Sequence, residues 1–412
     1  MNTNPQTTIK NQKYTIPMSS PDLTNAEREA VAAVLRTPNL SMGSEIQAFE
    51  AVFCQFSGRK HAIGVSSGTA GLHLCVRAAG IGPGDLVITT PFSFVASTNV
   101  LLFEHAIPVF VDVDPVTGNI DPIQVRQSVK DLMENKSAGK RWLPRHNAEE
   151  RSLLSRPFNA RLKALLPVDV FGQPADMDAI RDISGEYGLP VIEDSCEALG
   201  AEYKGRNAGA LGDYGVYAFY PNKQITTGEG AIIVTDNDQG ALLMQALRNQ
   251  GRAPGDTWLQ HTYLGYNYRL DEMSAALGRI QMERLEELLG RRERVAAWYN
   301  ERLDEIPGVE RLQMAPQTTR MSWFVYVVRF PGEVDRDRLA AELGKRGIPA
   351  RPYFLPIHLQ PYMVEKFGYQ AGDFPVTEDL GKRSLALPFS GVMTEDQVEI
   401  VCRELADLLS MF

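Results

Sequence analysis

The sequence predicts an α/β domain built on a mostly parallel sheet, followed by a smaller α+β domain. Three observations carry this. From about residue 16 to residue 240, short apolar runs alternate with helical patterns; parallel strands need such crossovers between them. After about residue 270 the alternation stops and long helical periodicity takes over. The 412 residues exceed what one core usually holds and fit two domains, or three.

In chain order, residues 1 to about 15 read as a disordered lead-in. Residues 16–270 form the large domain, with strands expected at Leu86–Thr90, Pro108–Val113, Leu162–Phe171, Pro190–Asp194, Tyr214–Phe219 and Ala231–Thr235. Helices are expected at Asn25–Arg36, Thr69–Ala79, Ile123–Glu134 and Met177–Tyr187. The polar, mostly basic stretch from 130 to about 161 interrupts this rhythm and reads as an insertion, a solvated excursion or a contact with a nucleotide phosphate or partner chain. Residues 271–412 form the small domain. A long helix runs from Asp271 to about Tyr299, broken or bent near Gly290, and Met321–Phe330 is a strand. Asp335–Arg346 is helical, and Thr394–Gln397 opens a last helix with a capping box ahead of Val398, Val401, Leu405 and Leu408.

Composition narrows the function. Hydrophobic residues make up 44% and charged residues 23%, ordinary for a globular chain. A net charge of −9 gives no basic field to recruit nucleic acid or an anionic membrane. The cysteines (Cys54, Cys75, Cys196, Cys402) are scattered and form no CxxC pair, which argues against a disulfide framework or a zinc site and fits a reducing cytoplasm. The N-terminus lacks the apolar core of a signal peptide, and no apolar run is long enough to span a bilayer.

Ligand sites of an open α/β sheet lie at the carboxyl ends of its strands, and several segments stand there. Phe219–Gly230 places Lys223 in a tight turn between two apolar runs. Burial disfavours the charged form of a lysine and leaves an amine able to attack a carbonyl; an exposed turn lysine is the plainer meaning. Ser66-Ser67-Gly68-Thr69-Ala70 leads into a helix whose free N–H groups suit a phosphate, and also reads as a simple N-cap. Phe94, just past a strand, is a ring that could stack on a planar ligand, or a core aromatic. Asp194 ends an apolar strand, where it could serve a ligand or cap a helix. Gly265–Arg269 reads alone as a turn.

Taken in order and spacing, these segments resemble the DegT/DnrJ/EryC1/StrS aminotransferases over nearly the whole chain, from Ile16-Pro17 to the C-terminus. The resemblance implies the fold type I architecture of pyridoxal phosphate (PLP) transferases, like aspartate aminotransferase. It implies that Lys223 is the Schiff-base partner and the general acid/base, and that Ser67, Gly68 and Thr69 grip the cofactor phosphate. Phe94 would stack on the pyridine ring, and Asp194 would keep the ring nitrogen protonated so that the ring acts as an electron sink. Glu197 stands where the family often has Gln or His near the ring's phenolic oxygen, and Ala218 where many relatives have a phosphate-binding serine. In the family the asparagine matching Asn267 reaches the neighbouring subunit's cofactor, which implies a homodimer with shared sites. Arg351 and His358, in the Arg351–Pro361 loop, are candidates for the donor carboxylate or substrate phosphates; a surface arginine and a capping histidine are the plainer meanings.

The activity implied is transfer of an amino group from L-glutamate, by way of pyridoxamine phosphate, to a nucleotide-linked keto-sugar. The RPYF-type loop resembles most the branch that aminates C4 of 4-keto-6-deoxyhexoses. An aminotransferase acting on a keto-inositol would carry the same cofactor site. A related sugar dehydratase replaces the lysine by histidine, which Lys223 argues against. A non-catalytic, DNA-binding PLP regulator would need a basic helix-turn-helix domain that neither the short lead-in nor the charge of −9 supplies.

Overall fold

The computed structural model describes residues 13–145 and 161–411. The large domain's strands are β1 (His61–Val65), β2 (Leu86–Thr89), β3 (Ile107–Phe110), β4 (Leu162–Leu165) and β5 (Ile192–Asp194). A small hairpin of β6 (Glu202–Tyr203) and β7 (Arg206–Asn207) follows, then β8 (Tyr214–Ala218) and β9 (Ala231–Thr235). Hydrogen bonding gives the orders β1-β9-β8-β5 and β3-β2-β4. Bridges from Leu165 to Val191 and from Val168 to Asp194 join them into one sheet. Only β9 runs against the rest: it pairs antiparallel with β1 and β8, while β5/β8, β2/β4 and β2/β3 are parallel. The reversal follows from the short β8–β9 connection, which has no crossover helix and so can only fold back as a hairpin. The carboxyl ends of β1, β2, β5 and β8 therefore share one edge.

Helices cover both faces, as a parallel sheet buried on both sides requires. Gly68–Ala78 packs on β8 and β9, and Asp238–Arg248 on β1. On the opposite face Ile46, Phe49 and Phe53, one stripe of helix Ser44–Ser57, meet Tyr217, Phe219, Ile232 and Val234. Strand β1 and the helices Ser44–Ser57, Ala96–Phe103 and Asp238–Arg248 were not assigned from sequence.

A second core forms where helices Leu285–Leu303, Arg336–Lys345 and Glu395–Leu409 pack with a sheet of β10 (Glu310–Arg311), β12 (Tyr326–Arg329), β13 (Arg351–Pro352) and β14 (Ser384–Leu387). Strand β11 (Thr318–Arg320) joins the β6–β7 hairpin. The capping box at Thr394 and Gln397 is present.

Several sequence expectations are corrected. The long helix breaks at Arg284 rather than near Gly290. Arg284 is drawn to Asp22 at 3.0 Å and Glu27 at 2.6 Å, whereas Gly290 lies mid-helix facing open space. The strand expected from Met321 starts at Tyr326, because Trp323 takes a φ of 51° and Ser322 N–H donates to the Gly172 carbonyl. Expected strand Leu162–Phe171 stops at Leu165, and Phe171 sits in a turn at φ 61°.

Of the lead-in, residues 1–12 lie outside the described residues, but Lys13–Thr15 are tied down. Tyr14 N–H donates to Arg346 O, and Lys13 pairs with Glu404 at 2.7 Å. Of the insertion, residues 146–160 lie outside the described residues. The stretch before them packs back on the domain: Arg141 and the Trp142 indole both donate to Asp131, and Arg145 pairs with Asp373 at 2.7 Å. No described helix is long and apolar enough to cross a membrane.

Two buried carboxylates contribute to the acid sensitivity of this fold. Burial raises both, but hydrogen bonds outweigh it: Thr24, Arg284 and Gln281 bring Glu27 from 4.5 to about 2, and Lys13, Arg346 and Tyr14 bring Glu404 to about 2. A depressed carboxylate stabilises the folded state above its unfolded pKa and stops doing so as pH falls through its folded value. The melting temperature is therefore expected to drop between about pH 5 and pH 2, with these two groups accounting for on the order of a few kcal/mol. Thermal unfolding across that interval should show the drop. A Glu27→Gln/Glu404→Gln protein should start lower at neutral pH and lose less.

Candidate active site

Strand β1 delivers the chain to Ser66 and Ser67. Ser67 caps the helix Gly68–Ala78, its hydroxyl accepting from Ala70 N–H at 3.1 Å. The remaining first-turn N–H groups have no helical acceptor and point toward the shared sheet edge. Glycine is required at 68 by close approach: a Cβ there would lie 2.9 Å from Ala218 Cβ and 3.0 Å from Cys196 Sγ. Ala218 is thus packed directly beneath the cradle. Ser67, Gly68 and Thr69 are all partly exposed.

Phe94 follows the end of β2 and is 63% exposed, so it is not a core aromatic. One turn on, Ser97 ties it to the next element. The Ser97 hydroxyl is 3.3 Å from the Phe94 carbonyl and donates to Asp194 Oδ2 at 2.7 Å. Asp194, at the end of β5, is only 4% exposed. It caps no helix, since turns follow it; Cys196 N–H donates to its other oxygen at 3.2 Å. Neither partner is a cation, which leaves a buried carboxylate suited to a protonated ring nitrogen. The neighbouring Glu193 points the other way and accepts N–H groups from Gly209, Leu211 and Gly212.

Lys223 lies in the β8–β9 hairpin, its N–H donating to Tyr220 O at 2.9 Å. The hairpin is pinned by its own polar residues. Thr226 Oγ1 donates to Phe219 O, Gln224 donates to Glu197 O and Ser322 Oγ, and Gly228 takes a φ of 81°. The lysine is 13% exposed; its Nζ lies 3.7 Å from Glu197 Oε1 and 3.7 Å from the centre of the Phe324 ring. It is thus not an exposed turn lysine. Glu197 is held from the far side by Phe171 N–H at 3.0 Å. Burial raises the Glu197 carboxyl, the Lys223 charge pulls it down, and Asp194 adds to the rise. Cys196, between Asp194 and Lys223, is pushed up by burial and by Asp194, so it stays a thiol.

The remaining sequence candidates separate. Asn267 is exposed beside the cradle: its loop bridges Asn249, and Tyr268 O accepts from Ser66 N–H. Arg351 is exposed and borders the site through Tyr353. Burial and the charge of Glu197 push that hydroxyl up to about 12, and Arg351 draws it down. His358 is 0% exposed, 3.0 Å from Glu378 and packed on Phe374. The expected substrate contact is therefore not available to His358 here, because Ile357 N–H, anchored on Pro91 O, draws the segment inward. Ser97, Ser322 and Phe324 were not singled out from sequence. A cleft of about 910 Å³ between helix Leu285–Leu303 and residues Glu310–Arg320 contains none of these site residues.

Residues 21–406 match the DegT/DnrJ/EryC1/StrS aminotransferase family. The chain belongs to that family. It is 35% identical to GDP-perosamine synthase of Caulobacter vibrioides over 398 residues, 96% of this chain and 98% of that protein. It is 35% identical to a Geobacillus stearothermophilus protein named pleiotropic regulatory protein, over 92% of this chain and 93% of that one. The solved structure of S. venezuelae DesV in complex with a ketimine intermediate superposes with a TM-score of 0.81 at 32% identity, covering 96% of this chain and 98% of DesV.

The aminotransferase is PLP-dependent and of mixed α/β architecture. Its residues fit the cofactor. The free N–H groups at the start of helix Gly68–Ala78 suit a phosphate, cation-free Asp194 suits a pyridinium, open Phe94 suits a ring face, and Lys223 suits the aldehyde.

Proposed function

We propose that this sugar aminotransferase moves the amino group of L-glutamate to a nucleotide-linked 4-keto-6-deoxyhexose, for surface polysaccharide or glycoconjugate synthesis. The single observation that carries the chemistry is the convergence of Lys223, Glu197 and Asp194 at the carboxyl ends of β5 and β8. Bound PLP would supply an electron sink for the carbon that loses its proton. Lys223 would link the cofactor and, once released, move the proton between the amino-bearing carbon and the cofactor. Asp194, oriented by Ser97, would hold the ring nitrogen's proton, and Glu197, oriented by Phe171 N–H, would face the phenolic oxygen. Ser67, Gly68 and Thr69 would bind the phosphate and Phe94 would cover the ring. Arg351 would meet a carboxylate or a substrate phosphate at the mouth.

Support for the sugar comes from the likeness to GDP-perosamine synthase along 98% of that protein. A homodimer with shared sites is part of the same reading. Asn267 is exposed, and Trp258 at 78% and Leu264 at 85% form an apolar projection on the preceding loop that a second copy would cover.

The test supplies nitrogen-15 L-glutamate with UDP-, dTDP- and GDP-linked 4-keto-6-deoxyhexoses and with keto-inositols, and reads the products by mass spectrometry. Label in one nucleotide sugar is the expected result. Label only in a keto-inositol, or in none, contradicts the proposal.

A further inference from the structure

Behind the lysine hairpin lies a buried cation that the chemistry above does not use. Arg292, in helix Leu285–Leu303, is 4% exposed. Its guanidinium donates to four main-chain carbonyls: Asn222 at 3.2 Å, Lys223, Trp323 at 3.1 Å and Phe324 at 3.3 Å. We propose that Arg292 is a positioning residue for Lys223, holding the lysine turn and the Phe324 segment together so that the amine stands over the Phe324 ring and beside Glu197. The proposal rests on Lys223 being the lysine that carries PLP.

The geometry argues for this in two ways. First, the two segments that Arg292 joins are the two whose side chains touch, Lys223 Nζ lying 3.7 Å from the Phe324 ring centre. They are 101 positions apart in sequence (324 − 223), and neither belongs to the helix that carries Arg292. A planar five-donor fork has a donor for each of the four carbonyls, whereas an ammonium has three. Second, the site is a costly one for a cation. Burial, with no carboxylate to offset it, pushes the guanidinium down to about 10. An apolar side chain would fill the space without that cost, so shape alone does not explain the arginine.

Arg292 also places a positive charge behind the lysine. The other groups facing Lys223 are Glu197 and Cys196 on the turn after β5; Asp194 acts in turn on both of these, and Glu197 acts on Tyr353, just past β13, as does Arg351. A unit charge on the order of 10 Å away shifts a titration by about one pH unit at an effective dielectric of about 20.

The experiment compares the PLP-loaded wild type, Arg292→Met and Arg292→Lys. Borohydride reduction and peptide mapping first locate the pyridoxyl group; finding it away from Lys223 overturns the lysine assignment, and the present proposal with it. With Lys223 labelled, visible circular dichroism, the pH midpoint of the visible band and the single-turnover rate with L-glutamate are read. In Arg292→Met the midpoint is expected to rise by about one unit. Arg292→Lys should keep the midpoint but change the dichroism, and both variants should slow the turnover at least about tenfold at saturating glutamate. A purely structural arginine would lower only the melting temperature. Variants with wild-type dichroism, midpoint and rate overturn the proposal. Where Arg292→Met does not fold, Arg292→Lys decides: a rate within about twofold of wild type overturns it, and a slowed rate with altered dichroism upholds it.

Discussion

Lys223→Ala is expected to stop amino-group transfer while leaving the fold intact. Losing the proton-transferring amine alone removes a factor of about 10²–10⁴, and losing the covalent attachment point adds to it. The fold should survive because the hairpin is held by groups other than the lysine side chain: Lys223 N–H on Tyr220 O, Gln224 on Glu197 O, and Thr226 on Phe219 O. Nor does the truncation strand a buried charge. Glu197 loses the cation that pulls its carboxyl down, rises further under burial, and takes up a proton instead. The check is a single-turnover assay with L-glutamate alongside thermal unfolding. A melting temperature near wild type with no detectable transfer is the expected pair, and added small amines should restore a fraction of the rate. A variant that still transfers at one tenth of the wild-type rate would remove Lys223 from the chemistry.

Asp194→Asn carries the second-largest expected effect, a loss of about 10²–10³ in kcat with little change in KM. The substitution keeps the shape and can keep the Ser97 hydrogen bond at 2.7 Å, but it removes the negative charge. A neutral amide cannot hold the ring nitrogen's proton, so the group developing charge in the transition state loses its support while ground-state binding changes less. Asp194 is buried and has no cation among its hydrogen-bond partners, so the substitution breaks no structural ion pair there. Steady-state kinetics separates the outcomes: equal losses in kcat and kcat/KM support this role, and a change confined to KM contradicts it.

The parts of the fold that were legible are those written in local patterns. Apolar runs bounded by turn residues marked β2, β5, β8 and β9 to within a few residues, because a strand buried on both faces must be apolar throughout. The candidate site segments stood out locally too: Asp194 and Lys223 come at or just after such runs, and Ser67–Thr69 stood out as a helix start. Strand β1 escaped because His61–Val65 is short and interrupted by Gly64. The break at Arg284 could not be read, since its cause is a pair of carboxylates at Asp22 and Glu27, far away in sequence. Ser97 and Arg292 escaped for a like reason: one acts on Asp194 and the other on the Lys223 turn, across separations no local pattern spans. His358 shows the opposite failure. A loop rich in Arg, Tyr and His reads as a surface for substrate, but the Ile357–Pro91 hydrogen bond turns the histidine inward onto Glu378.

The most direct test of the central claim, that this chain carries an amino group on PLP from L-glutamate to a nucleotide keto-sugar, follows the visible absorbance of the PLP-loaded protein through one full cycle. L-Glutamate alone should convert the visible band to that of the pyridoxamine phosphate form, and a nucleotide-linked 4-keto-6-deoxyhexose added afterwards should bring the band back. A band that L-glutamate leaves unchanged, or that only a keto-inositol restores, would contradict the account.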